Sequence, residues 1–180
     1  AWSAMSTGAN SDVNVINPYP GSIVFIGGGF TTIGGQSFSR AATWNGVGFS
    51  SVGGTSALNS SVNDASLSPS GVITVGGSFT TVDGITYPSN TAQINGGQYS
   101  PLGIILPAGT ANVYAVESDY AANTLYLGFD GTGTAVAESI ATLTHNGTGM
   151  TYPVIYLTTT VASRVYSIAN YTTNDFVFFD

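Results

Sequence analysis

The chain has 180 residues, no lysine and no cysteine, and sets only Arg40 and Arg164 against nine Asp and Glu, for a formal charge of −7. Two arginines cannot neutralise a phosphate backbone, so nucleic acid is not expected as a partner, and anionic membrane surfaces are disfavoured for the same reason. Without cysteine there are no disulfides or thiolate metal sites, and no apolar run reaches the length of a membrane-spanning helix.

In chain order, Trp2-Ser3-Ala4-Met5 reads as the last strand of a preceding unit, occupying residues 1–10. A full unit then spans residues 11–59. Its strands are predicted at about Val13–Ile16, Ser22–Ile26, Ala41–Trp44 and Phe49–Val52. Val13/Val15 and Ile23/Phe25 alternate with polar residues, as a half-buried strand does. Gly, Pro, Asn and Ser clusters separate the runs. Asn45-Gly46 lies between the third and fourth runs and predicts a type I′ hairpin turn.

The second unit, 60–110, repeats the first. Residues 11–30 and 60–79 align without a gap at an offset of 49, and the match runs on through Thr31-Thr32 and Thr80-Thr81 to Gly34 and Gly84, with one residue inserted. Asn95-Gly96 and Tyr99 to Gly103 fall in phase with Asn45-Gly46 and Phe49 to Gly53. The third unit, 111–162, is looser: Gly-Gly gives way to Gly128-Phe129, and Asn146-Gly147 marks the turn. A partial fourth unit covers 163–180. No helical period is visible. The expectation is an all-β chain of tandem four-stranded antiparallel blades, β-propeller-like, with about three and a half repeats of about fifty residues. The strand count does not close, which reads as a segment of a longer array. A β-solenoid and a pair of β-sandwiches are the alternative folds.

The unit Gly28-Gly29-Phe30-Thr31, Trp44-Asn45-Gly46, Phe49 to Gly53, repeated as Gly77-Ser78-Phe79-Thr80, Ile94-Asn95-Gly96 and Tyr99 to Gly103, resembles the propeller repeats of Rax2-like and kelch-like proteins. The regular tyrosine–tryptophan pair of kelch repeats is not found. The resemblance implies a non-catalytic scaffold for display or interaction, of the kind seen on cell and virus surfaces.

Chemistry-bearing residues are few. Gly27-Gly28-Gly29 and Gly76-Gly77 do not make a phosphate cradle, because neither a following helix nor a lysine is present. They read as strand-end glycines serving a bulge or a close approach between sheets. His145 is the only histidine and is predicted to sit in a turn, with no second His or Cys to share a metal. Glu117 and Asp119, two apart on one strand face, could join Asp130 as Ca²⁺ ligands or as a glycosidase pair. Against that reading, nine acids scattered through the chain supply one such grouping by chance. The sequons at Asn59, Asn146 and Asn170 are glycosylation candidates, with Asn59 and Asn146 in predicted loops. The many Tyr and Phe suit packing between sheets, or stacking on sugars if exposed.

These readings predict no cofactor and no catalytic residue. The expected function is a non-enzymatic structural and interaction module, extracellular or on a cell or virion surface. Its loops would meet other protein subunits or surface glycans. The alternatives are a secreted carbohydrate-active enzyme and a glycan-binding adhesin.

Overall fold

The computed structural model describes residues 4–19, 21–54, 57–68, 70–87, 89–102, 104, 106, 112–119, 124–130, 137–145, 150–159, 165–172 and 175–179, with the backbone alone at 137–145, 150–159, 170–172 and 175–179. The described residues are all-β and contain no helix, hence none long and apolar enough to cross a membrane.

The first sheet takes β1 (Val13–Tyr19) and β2 (Ile23–Gly28), leaves by a small hairpin of β3 (Thr32–Ile33) and β4 (Gln36–Ser37), and returns as β5 (Ala41–Trp44) and β6 (Phe49–Ser51). The order β1-β2-β5-β6 is an antiparallel meander. The second sheet repeats it as β7 (Val62–Leu67), β8 (Ile73–Gly77), the hairpin β9 (Thr81–Val82) and β10 (Ile85–Thr86), then β11 (Thr91–Asn95) and β12 (Gln98–Pro101). The third contains β13 (Val113–Asp119), β14 (Thr124–Phe129), β15 (Ala137–His145) and β16 (Met150–Thr159). β17 (Ser167–Thr172) and β18 (Asp175–Phe179) pair alone. Among the described residues no sheet closes on itself.

The four-stranded unit expected from the repeat is present, but four details differ. The β3–β4 and β9–β10 hairpins were not anticipated, because a two-residue strand carries no hydrophobic period. Both turn on paired positive-φ residues, Gly34-Gly35 and Asp83-Gly84, so these are the tight turns of mirror-image type. The inserted residue falls after Tyr87 instead of inside the hairpin, since Asp83 stands where Gly34 does. The Asn-Gly pairs do not form the central turn residues. Asn95 is still in β11, paired with Gln98, and Gly96-Gly97 make the turn with φ of 55° and 77°. Asn45 instead accepts the Val47 and Gly48 N–H groups through Oδ1, at 3.0 and 2.9 Å, and holds the loop from its entry. Finally, His145 is not in a turn: it ends β15, paired with Met150.

The first strands of successive sheets lie side by side, β1 on β7, β7 on β13 and β13 on β17. Apolar residues on both faces of the sheets require this stacking. Val15, Phe25 and Ala41 of the first sheet share a core with Val62, Val75, Phe79 and Ile94 of the second. Its other face carries Ile26, Phe30, Phe38 and Ala42, with Trp44 and Phe49 half-buried and their rings 4.6 Å apart. Ala115, Val165 and Ile168 join the third sheet to β17.

At the outer strand, Tyr99 covers Gly53, just beyond the preceding sheet, and its buried phenolic oxygen has no hydrogen-bond partner among the described residues. Burial, with the charge of Asp83 in second place, pushes this phenol well above its ordinary pKa. Phe49 occupies the corresponding place in the first sheet. Tyr99→Phe is therefore expected to raise stability by about 1 kcal/mol, the cost of an unpaired buried hydroxyl, measured as a higher urea midpoint at unchanged slope.

Candidate functional site

The most elaborate part of the molecule is the seam between first strands. Each of β1, β7 and β13 carries a register shift at the same place, after Val13, Val62 and Val113. A bulge leaves one residue unpaired and re-aims its side chain. That residue is Asn14, Asn63 or Tyr114. Asn14 Nδ2 donates to the Val62 carbonyl at 2.8 Å, and Asn63 Nδ2 donates to the Val113 carbonyl at 2.9 Å. At the third seam Tyr114 meets Tyr166 with ring centroids 5.0 Å apart.

A glycine of the second strand faces the same leading valine. A Cβ on Gly27 would lie 2.8 Å from Val62 Cγ1, one on Gly76 2.5 Å from Val113 Cγ1, and one on Gly128 2.8 Å from Val165 Cγ1. The close-approach reading of the Gly-Gly motif therefore holds for these positions. Gly28 and Gly77 do a second job: a Cβ on either would lie 2.1 Å from the carbonyl oxygen of Asp12 or Ser61.

Further along, the first strands enclose a cleft of about 400 Å³ walled by Asn17, Asp64, Ser66, Glu117, Ser118 and Ser167, among others. Asp64 takes the register position of Val15 and Ala115, opposite Gly76. Its Oδ1 accepts the Ala65 N–H and its Oδ2 accepts the Val116 N–H of the next sheet, each at 2.8 Å. Burial pushes its carboxyl up from 3.8 to about 6, although both backbone hydrogen bonds pull the other way. Ser66 donates to Ser118 across the same seam at 2.9 Å. Asn17 Nδ2 donates to the Ala65 carbonyl, and Tyr19 OH to the Gly71 carbonyl at 2.6 Å.

The three acids singled out by sequence are not gathered. Glu117 stands on the cleft wall opposite Tyr126 in register. Asp119 is buried at the far end of the β13–β14 hairpin, paired with Thr124. Asp130 lies at the other end, roughly 20 Å away at the ~3.3 Å rise of a strand. There it accepts the Asn112 backbone N–H at 2.8 Å and the Asn112 side-chain amide at 3.0 Å. Among the described residues no group of three or more His, Cys, Asp and Glu could hold a metal ion.

Asn59 is exposed, and its side chain is engaged. Its Oδ1 accepts the N–H groups of Thr80 and Thr81, and its Nδ2 donates to Thr80 Oγ1 at 3.0 Å. Asn10 clips Thr31 and Thr32 in the same way without being part of a sequon. The side chain thus has a structural use that does not depend on a glycan. Asn170 lies within β17, paired with Phe176. Asn146 and Arg164 fall outside the described residues. Arg40, at a positive φ of 71°, turns its guanidinium back onto the Gly29 carbonyl.

Sequence reasoning missed Asp64, Asn14 and Asn63. The two asparagines were detectable, because they coincide in the 49-residue alignment. Asp64 was not, because it replaces the apolar Val15 in an otherwise ordinary strand. No family model, no curated protein and no solved structure matches this chain.

Proposed function

We propose that this chain is a non-enzymatic structural and interaction module, a β-propeller-like array of Rax2-like or kelch-like character. It works outside the cell or on a cell or virion surface, presenting its loops to protein or glycan partners. One observation carries the reading: Asp64, Ser66, Ser118 and Asn17, polar groups that wall the cleft, make hydrogen bonds that tie one sheet to the next. They serve the scaffold. The near absence of charge on a Ser/Thr/Asn/Gly-rich chain supports a surface setting.

A second reading rests on the same cleft. Asp64, with its carboxyl raised to about 6, and Glu117 wall one cavity, which is the chemistry of an acid and its partner carboxylate in glycoside cleavage. A hydrolysis screen over aryl glycosides and surface polysaccharides between pH 4 and 8 separates the two. The scaffold reading expects no turnover above buffer. Turnover lost in both Asp64→Asn and Glu117→Gln proteins that remain folded would replace it with the enzyme.

A further inference from the structure

Resting on the stacked-array reading, we infer that the face of the first sheet bearing Val13 and Ile16 is an interface, and that its occupant is one more four-stranded sheet of this same repeat, carried ahead of it on the polypeptide.

The first argument is exposure at equivalent positions. Val13, Val62 and Val113 each begin the first strand of a sheet. Val62 and Val113 are 0% exposed, each pressed onto a glycine of the sheet before; Val13 is 40% exposed. Ile16 pairs with Ile26 as Ala65 pairs with Val75 and Val116 with Leu127. Ala65 and Val116 are 4% and 2% exposed, whereas Ile16 is 63% exposed. An isoleucine at that register leaves apolar surface in water with no local reason.

The second argument is independent and lies in how the chain enters the sheet. Between the first and second sheets it passes a positive-φ residue, Gly53, forms a single bridge from Leu58 to Val82, and clips Asn59 onto Thr80. Ahead of the first sheet it passes a positive-φ residue, Ser6, forms a single bridge from Ala9 to Ile33, and clips Asn10 onto Thr31. The entry is built as a crossing from one sheet to the next. The occupant's second strand therefore carries glycine beneath Val13, and its bulge residue donates to the Val13 carbonyl. The last described pair is a poor candidate for this place, because Phe179 stands opposite Ser167 where Gly128 stands opposite Ala115.

The test exploits the absence of cysteine. Ile16→Cys and Ala65→Cys are made singly in the full chain, and maleimide labelling rates are measured. Residues 11–59 are then duplicated in tandem within the full chain, so that the downstream copy faces the Gly27 of the upstream one. The Cys at position 16 is expected to react like an exposed thiol in the 180-residue chain, and the one at 65 about a hundredfold more slowly, since labelling there needs local opening. In the duplicated chain the downstream Cys at 16 should slow at least about tenfold, and Gly27→Val in the upstream copy should restore its rate. An unchanged downstream rate overturns the interface. Protection that rises with concentration of the single chain assigns the face to a second copy and overturns the occupant. Rapid labelling at position 65 overturns the stacked array itself.

Discussion

Gly76→Ala is expected to destabilise the protein by about 3 kcal/mol, the upper part of the range for forcing a carbon into a packed interior. The added Cβ would lie 2.5 Å from Val113 Cγ1 and 2.7 Å from Val116 Cγ2. Both atoms belong to β-branched side chains on β13, the first strand of the next sheet, with little rotamer freedom to yield. Backbone strain plays no part, since Gly76 is not among the positive-φ residues. Gly84→Ala is the counterpart. Its φ is +78° and nothing lies within 4 Å, so it should cost only about 1 kcal/mol, through conformation alone. For a chain of this size about 3 kcal/mol is a fall in Tm of roughly 6–12 °C. The contact is further identified by coupling. Val113→Ala removes the nearer of the two atoms in the way and leaves Val116 Cγ2, so the double variant should be at least about 1 kcal/mol more stable than the sum of the single losses implies. Strict additivity would place Val113 elsewhere.

The second large effect is a dependence on pH. Asp64 is raised from 3.8 to about 6 in the folded state, chiefly by burial. The folded protein therefore holds a proton that the unfolded chain releases in the window between these values. The stabilisation is complete below pH 4 and is lost as pH rises through 6. At about 1.4 kcal/mol for each of about two pKa units, the change is close to 3 kcal/mol. Asp64→Asn removes the titration. The stability of the parent relative to Asp64→Asn, read from urea midpoints at pH 4 and pH 7, should fall by about that amount with rising pH. A constant difference would mean that the carboxyl is solvated and that the seam between the second and third sheets is open to water.

Much of this architecture was legible in the sequence, for a physical reason. A sheet that must stack on its own copy places the same demands at the same offset, so Gly27 and Gly76 recur with Val62 and Val113. The strand runs were readable because Val13/Val15 and Ile23/Phe25 obey a period of two. The β3–β4 hairpin was hidden because Thr32-Ile33 and Gln36-Ser37 are too short for a period. The turn chemistry was misread because Asn45 acts through its side-chain oxygen and Asn95 through the strand ladder, neither of which the dipeptide reveals. The seam was only half visible. Asn14 and Asn63 align, but their role depends on a bulge that no pattern announces. Asp64 becomes notable only once the next sheet brings the Val116 N–H to it.

The scaffold proposed above depends on sheets that stack on one another, and the glycine–valine contacts carry that stacking. Nuclear Overhauser contacts from glycine Hα protons to valine methyl groups in the folded chain test it most directly. The account predicts cross-peaks from Gly27 to Val62, Gly76 to Val113 and Gly128 to Val165, three equivalent contacts at three seams. Their absence in a chain that otherwise shows the β7–β8 and β13–β14 pairings would mean that the sheets form but do not stack, and would contradict it.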